Sequence, residues 1–269
     1  MSDGEQIKVV VLLRRLLDKP GSIATDQILG RCEGAALAAS LYLAEELDAH
    51  VTAIAVGPAK RENRVLAMAL RAGCHEAIRV DASEVDELDY LGVATVIAEA
   101  IKPNGFDLVL CGDRAQDELQ AAVGPAVAEL LEVAHLPGVV GLHVEDGLVV
   151  ARQRDDDCFH TYRCGMSSLL CVAAFKPPPK SAVQSLLEEL DEPGEEPDKH
   201  EESSEHRVVS VNSGALSEVR LDRLDVDEDA LKRRDGLGGV PRPAHHGAHA
   251  TIVTSSTDLV SRLEDDRLL

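Results

Sequence analysis

Hydrophobic residues in the first half of the chain fall into short continuous runs separated by longer mixed segments. The runs are IKVVVLL at 7–13, VTAIAVG at 51–57, EAIRV at 76–80 and DLVLC at 107–111. Continuous apolar runs of this length are typical of strands that are buried on both faces of a parallel sheet. The pattern therefore predicts four such strands.

The segments that follow these runs have helical character. They are the Ala/Leu-rich stretch 33–47, the amphipathic stretch 60–72, and the stretches 95–103 and 120–133. Gly73 directly follows the second of them, where a helix C-cap commonly carries glycine. Alternation of strands and helices with short turns predicts an α/β fold, a Rossmann-like parallel sheet with helices on both faces.

The pattern changes at Pro137. Residues 138–154 contain two runs with alternating polarity, joined through Asp146-Gly147, and Asp-Gly is a strong signal for a tight hairpin. Residues 158–164 predict a third antiparallel strand, and 169–175 return to the buried type. An antiparallel hairpin extension is therefore predicted on the parallel sheet.

Composition divides the chain into three predicted regions. Residues 1–175 form the α/β nucleotide-binding core domain. Residues 176–207 are acidic and contain proline, which predicts a flexible linker. Residues 208–269 form a long C-terminal arm with one strand at 208–213. The arm ends in a short amphipathic helix that starts near 255–257 and is expected to dock on another surface.

The net charge of the chain limits the classes of ligand that it is expected to bind. The chain has 27 Lys and Arg residues against 48 Asp and Glu residues, a formal net charge of −21. This excess disfavours nucleic acid and anionic membrane surfaces as ligands. Six scattered cysteines without a CxxC pair, together with an N-terminus that lacks a signal-peptide pattern, lead us to expect a cytoplasmic protein with reduced thiols. Membrane insertion is not expected, because no apolar run approaches the roughly 20 residues that a spanning helix needs.

Catalytic and metal-binding patterns are weak. The histidines at 245, 246 and 249 stand among Gly, Pro and Ala residues, whose side chains cannot hydrogen-bond to metal-binding histidines and hold them in place. No nucleophile stands beside a general base in the sequence, although Asp117 and Glu118 are adjacent acids after a strand. We therefore predict no catalytic residues and no metal site.

The strand ends carry more information. Open parallel sheets bind ligands beyond the carboxyl ends of their strands, here 12–15, 56–58 and 112–117, near the point where the strand order switches. Backbone N–H groups near 121–124, at the start of a predicted helix, can hold a phosphate even where the side chains are inert. The alternative is that the glycines of these segments only form the turns that the fold requires.

Four segments stand out by their order along the chain: VVVLLRRLLDKP at 9–20, GPAKRENRVLAMALRAGCHEAIRV at 57–80, DLVLCGDRAQDELQAAVGPAVAELL at 107–131 and SSTDLVSRLEDDRLL at 255–269. In this order they resemble the β subunit of electron transfer flavoprotein. The resemblance implies a heterodimer with an α subunit that carries the redox-active FAD. In common members the β subunit buries a structural AMP, whereas electron-bifurcating members hold a second FAD there. It also implies that the β subunit has no reaction of its own.

The resemblance also assigns roles to individual positions. Where common members have a polar Asn-Gln-Thr that meets the phosphate, this chain has an Ala-Ala-Val run followed by the retained glycine. The positions assigned to cofactor binding are Leu12, Cys32, Glu33, Val56, Gly57, Gly112, Asp117, Ala121, Ala122, Val123 and Gly124. The positions assigned to the surface that faces the partner's flavin are Arg14, Asp18 and Lys19.

After the last core strand the chain departs from the family. KPPPKSAVQSLLEEL stands where the family has its recognition loop, and an acidic segment follows. Because complementary charge selects partners, we hypothesise that this subunit serves one particular flavin dehydrogenase or reductase. The main alternative is a stand-alone adenine-nucleotide-binding module of the universal-stress type, for which a Gly-rich phosphate loop would be expected after Cys111. A weaker one is an enzyme with its own site at the strand ends.

Overall fold

A computed structural model describes residues 6–14, 29–82, 88–114, 121–155, 158–177, 215–226 and Leu231. Within these ranges the strands are β1 (Lys8–Leu12), β2 (His50–Val56), β3 (Glu76–Asp81), β4 (Leu108–Gly112), β5 (Ala134–Glu145), β6 (Leu148–Asp155), β7 (Cys158–Cys164), β8 (Ser168–Val172) and β9 (Ala215–Arg220). The α-helices are α1 (Arg31–Leu47), α2 (Ala59–Arg71), α3 (Tyr90–Ile101) and α4 (Val123–Leu130). None of these helices is both long and apolar enough to cross a membrane.

The described strands form one sheet in the order β7-β6-β5-β8-β4-β1-β2-β3-β9. Six neighbouring pairs are parallel, and only the pairs that involve β6 are antiparallel. The chain runs from β1 outward to β2 and β3, then crosses back to place β4 on the other side of β1. The mostly parallel α/β fold predicted from the sequence is confirmed.

Each face of the sheet is covered by two helices. Val9 and Val11 of β1 belong to the same buried cluster as residues of α1 and α2. Val10 and Leu12 belong to a second cluster with residues of α3 and α4. This alternation explains why the strand reads as a continuous apolar run, since both of its faces are shielded from water. Full burial of one such aliphatic side chain contributes about 1.5–3 kcal/mol.

The antiparallel extension is built around a tight turn. Asp146 and Gly147 have φ values of 52° and 74°, so both central residues of the turn lie in the left-handed region. This is the backbone geometry of a two-residue turn whose twist matches that of the flanking strands β5 and β6. The hairpin predicted from Asp-Gly is confirmed, and β7 follows it over the predicted residues Cys158–Cys164.

The ninth strand lies where the sequence indicated no strand. β9 pairs in parallel with β3 along its whole length, from Ala215 opposite Glu76 to Arg220 opposite Asp81. The strand predicted at 208–213 and the terminal docking helix lie outside the described residues. Farther along the chain, Leu231 is 3% exposed and packs in the α3–α4 cluster. The predicted domain boundaries stay a prediction.

Helices α3 and α4 differ most from their predicted bounds, whereas α1 and α2 match theirs to within two residues. Helix α3 begins at Tyr90 because the side chain of Asp89 accepts a hydrogen bond from Gly92 N at 2.8 Å and so caps the helix. Helix α4 is shorter than the predicted 120–133: it begins only at Val123 and ends at Leu130. The apolar residues after Leu130 contact the α3–α4 cluster from outside the helix.

Candidate functional site

The switch in strand order lies between β1 and β4. Leu12 pairs with Cys111 of β4 on one side and with Ile54 of β2 on the other. The sheet therefore brings the carboxyl ends of these three strands together, at the place where open α/β sheets bind ligands. Among the predicted site residues, Leu12, Val56 and Gly112 all lie at this edge.

The start of α1 packs directly on the end of β4. A Cβ atom on Gly112 would lie 3.1 Å from Cys32 Cβ and 3.1 Å from the backbone nitrogen of Glu33. Glycine is thus the residue that permits this close approach of strand and helix. Cys32 Sγ donates to Ala173 O at 3.5 Å, and burial raises the pKa of this thiol. The predicted residues Cys32, Glu33 and Gly112 form one contact region.

The start of α4 presents backbone rather than side chains. The N-cap residue is Ala122, and its methyl group makes no capping hydrogen bond. Ala121 is exposed, and Ala122 and Val123 are partly buried. The N–H groups of a helix's first turn have no partner within the helix, and they favour an anion together with the helix dipole. Ala121, Ala122 and Val123 have no polar side-chain atoms, so the groups that the start of α4 can offer to an anion are backbone N–H groups.

Gly124, the next residue, rests on two cysteine sulfurs. A Cβ atom at this position would lie 2.5 Å from Cys171 Sγ and 2.9 Å from Cys111 Sγ. The sulfurs of Cys111 and Cys171 are 3.3 Å apart, and His135 Nε2 is 3.2 Å from Cys171 Sγ. We call Cys111, Cys171 and His135 the thiol–imidazole cluster. The sequence analysis missed it, because its members are far apart along the chain and meet only through the pairing of β4, β8 and β5.

The pKa values of the three groups in the thiol–imidazole cluster are shifted in different directions. Hydrogen bonds from Cys111 and from His135 lower the pKa of Cys171 to about 6, against the opposing effect of burial. The hydrogen bond to Cys171 and burial raise the pKa of Cys111 well above its ordinary value. The contact with Cys171 also raises the pKa of His135. These shifts favour a Cys171 thiolate beside a protonated His135, with Cys111 as the thiol that donates.

Asp113 fastens the residues after β4. Its Oδ1 accepts from Gly138 N at 2.8 Å, and its own backbone N–H donates to Val172 O at 3.0 Å. Asp113 is 8% exposed, so the bond from Gly138 replaces water at a buried carboxylate. Arg114 follows it, and its Nε lies 3.4 Å from Asp113 Oδ2. The sequence analysis did not single out Asp113 or Arg114.

The turn after β2 is held by a buried arginine. The Arg79 side chain is only 4% exposed, and its Nη1 donates to Gly57 O at 3.3 Å. Gly57 has a φ of 144°, and its N–H donates to Val80 O at 3.0 Å. The predicted site residue Gly57 is therefore fixed by contacts with β3.

The surface predicted to face a partner's flavin is described only in part. Arg14 comes two residues after β1, is partly buried and belongs to the same edge as Arg114. Asp18, Lys19 and Asp117 lie outside the described residues. The described part of the site thus offers backbone N–H groups, two arginines and close packing of glycines. A nucleotide phosphate held mainly by backbone donors fits this donor set.

Comparison with known proteins identifies the family. The family model described as "Electron transfer flavoprotein domain" matches residues 24–193, more than half of the chain. The electron transfer flavoprotein subunit beta of Clostridium acetobutylicum is 33% identical over 122 residues, which cover 45% of this chain and 47% of the relative. In that alignment the chain spans about half the length of its relative.

Two further relatives extend the comparison. The electron transfer flavoprotein subunit beta of Bacillus subtilis is 28% identical over 234 residues, which cover 83% of this chain and 82% of the relative. The acryloyl-CoA reductase electron transfer subunit gamma of Anaerotignum propionicum is 26% identical over 165 residues, which cover 56% and 61% of the two chains. The family match over more than half of the chain and these relatives together show that the chain belongs to the electron transfer flavoprotein β-subunit family.

Proposed function

We propose that this chain is the β-like subunit of an electron transfer flavoprotein. It pairs with an α subunit that carries FAD, and the pair passes electrons from a flavin dehydrogenase to an acceptor. The observation that carries the proposal is the family match over 24–193, because this range contains the whole candidate site except the end of β1. The FAD supplies the redox chemistry, and this chain contributes a binding surface and a nucleotide site rather than a reaction of its own.

The nucleotide site of the proposal lies at the switch between β1 and β4. The backbone donors at Ala122 and Val123 hold the phosphate, and Arg114, whose side chain is 62% exposed after the end of β4, offers a guanidinium for a second contact. We favour AMP as a structural ligand. A second FAD, as in bifurcating members, or no nucleotide are the other outcomes to be tested.

The partner of the pair is proposed to be a dedicated redox enzyme. The segment after Phe175 replaces the family's recognition loop with KPPPK and an acidic stretch, and a different charge at a docking surface selects different molecules. We also expect a cytoplasmic location. The six cysteines are all free, which suits a reducing compartment.

The test is to identify the nucleotides that a purified pair releases. The chain is co-expressed with a candidate α subunit, supplemented with FAD and purified through a tag on the partner, and the released nucleotides are quantified after denaturation. One FAD and one AMP per pair supports the proposal as stated, and two FAD per pair supports it with a second flavin in the site. One FAD alone supports the electron-transfer role but overturns the nucleotide site. A pair that does not form, or forms without flavin, overturns the function. ATP or ADP in the isolated chain favours the stand-alone module instead.

A further inference from the structure

The thiol–imidazole cluster lies beneath the start of α4 and takes no part in the function proposed above. Cys111 and Cys171 occupy directly paired positions on the parallel strands β4 and β8. Neighbouring strands lie about 4.8 Å apart, and the Cα separation of disulfide-bonded cysteines ranges from about 4.4 to 6.8 Å. The strand pairing therefore already places both backbones within the range for a bond between the two sulfurs.

The side chains point toward each other as well. Their sulfurs are 3.3 Å apart, so forming a bond of about 2.05 Å needs a closure of little more than one ångström. Cys74 provides a contrast. It is 3% exposed, it is a free thiol in the same cluster as α1 and α2, and burial alone raises its pKa to about 12. Burial by itself thus makes a thiol inert here, and the paired geometry is what distinguishes Cys111 and Cys171.

We propose that Cys111 and Cys171 form a redox-active dithiol, which hydrogen peroxide oxidises to a disulfide with His135 as the proton donor. The two cysteines are 6% and 2% exposed and His135 is partly buried, so the oxidant has to be small to reach the sulfurs. Large oxidants such as glutathione disulfide are excluded by the same burial.

The reaction balances in two steps. The Cys171 thiolate attacks one oxygen of hydrogen peroxide; the O–O bond breaks, and the leaving hydroxide takes the proton of His135 to become water. Cys171 is then a sulfenic acid. The Cys111 sulfur attacks the Cys171 sulfur, the S–S bond forms, and the S–O bond breaks. The departing hydroxide takes the Cys111 proton as a second water. Two thiols lose two electrons in total, and the peroxide gains them.

The charged groups around the cluster determine its pH dependence. His135 on β5 stabilises the Cys171 thiolate, while the carboxylate of Asp113 opposes it. The carboxylates of Asp113 and of Glu33 on α1 also help to raise the pKa of Cys111. A thiolate that persists down to about pH 6 should react at nearly its full rate from pH 7 upward. Replacing His135 with glutamine removes the imidazolium charge that stabilises the thiolate and the proton that it donates. The oxidation rate at pH 6 should then fall by about tenfold, and its rise should shift to higher pH.

The test uses the full-length chain, purified under reducing conditions and then treated with one equivalent of hydrogen peroxide. Free thiols are labelled after denaturation and the peptides are mapped by mass spectrometry. We expect a crosslink between the peptides of Cys111 and Cys171 that dithiothreitol reverses, while Cys74 stays reduced. In Cys111→Ser, dimedone should trap a sulfenic acid at Cys171. In Cys171→Ser, Cys111 should stay reduced.

Two results would overturn the proposal. One is that both thiols remain free in the wild-type chain while the exposed Cys158 is oxidised. The other is that His135→Gln, with an unchanged thermal midpoint, leaves the pH profile of the oxidation rate as it was. The wild-type peptide map needs no variant, so the proposal can fail even if a cysteine substitution prevents folding.

Discussion

Arg79 on β3 and Glu218 on β9 form the ion pair that attaches the ninth strand: Nη2 of Arg79 lies 2.5 Å from Oε2 of Glu218. The arginine side chain is 4% exposed and the glutamate side chain is 52% exposed. A second acid, Asp81, lies 3.3 Å from Arg79 Nη1. One buried cation therefore links the edge strand, its own strand and the Gly57 turn of the candidate site.

Replacement of Arg79 should lower the stability of the protein more than replacement of Glu218. Arg79→Met eliminates the hydrogen bonds to Gly57 and Glu218, and we expect the free energy of unfolding to fall by about 2 kcal/mol or more. Glu218→Gln keeps an acceptor near Arg79, and the glutamate is largely solvated, so a loss below about 1 kcal/mol is expected. Urea denaturation of both variants measures the difference. Equal losses would show that Arg79 does not hold the Gly57 turn.

Substitution of Gly124 should be costly because of the two sulfurs beneath it. In Gly124→Ala the new methyl group would stand 2.5 Å from Cys171 Sγ, and we expect a loss of about 1–3 kcal/mol in unfolding free energy. Cys171→Ala in the same chain should restore part of that loss. Gly34→Ala is the matched control, since a Cβ on that helical glycine meets nothing within 4 Å. It should stabilise the protein by about 0.5–1 kcal/mol. Thermal and urea midpoints compare the three variants.

Charge at the start of α4 should decide nucleotide retention. Ala122→Asp and Ala122→Asn place side chains of the same shape at the N-cap, but only the aspartate repels a phosphate. We expect the purified α-β pair to lose its nucleotide on Ala122→Asp and keep it on Ala122→Asn, because the two side chains differ in charge and not in size. The amount of nucleotide released per pair is the measurement. Equal retention in the two variants would place the phosphate elsewhere.

His75 should make stability sensitive to acid. Its Nδ1 accepts a hydrogen bond from Val51 N at 3.0 Å, which requires the unprotonated nitrogen. Burial and the charge of His50 lower the pKa of His75 below its ordinary value of 6.5. The unfolded chain therefore binds the proton more readily than the folded one. Stability is fully present above pH 6.5 and is lost as the pH falls below it toward the folded pKa.

This pH dependence can be assigned by substitution. The urea midpoint of the wild-type chain should decrease when the pH is lowered from 7.5 to 5.5. The midpoint of His75→Ala should decrease less over the same interval. The variant is less stable at neutral pH because Val51 N loses its acceptor, so the comparison is between the two pH slopes. Identical slopes would assign the acid sensitivity to other groups.

Local pattern was sufficient for most of the parallel core. The buried runs at 7–13, 51–57, 76–80 and 107–111 match the strands β1 to β4 to within one residue at every end. Two-sided burial requires continuous apolar residues, so this information is already present in the order of amino acids. The Asp146-Gly147 turn was predictable for a similar reason, because its left-handed backbone restricts which residues can occupy it.

The edge strand β9 and the hydrogen bonds of the buried Asp113 were less predictable from the sequence. β9 reads ALSEVR and lacks the continuous apolar run of the core strands. It becomes a strand because β3 offers it an edge and Arg79 offers Glu218 a partner. Asp113 resembles an ordinary turn residue in the sequence. Its role depends on Gly138, which lies 25 positions away and donates to it across the sheet.

By itself, then, the sequence determined the class of fold, the turn chemistry and the resemblance that led to the family. It also determined which positions follow the strand ends, since those are local facts about hydrophobic runs and glycines. Only the tertiary structure decided which of these positions meet. The contact between Cys111 and Cys171 depends on the register of β4 with β8. The contact of His135 with Cys171 depends on the pairing of β5 with β8. Register is set by the packing of the whole sheet, and no local sequence pattern contains it.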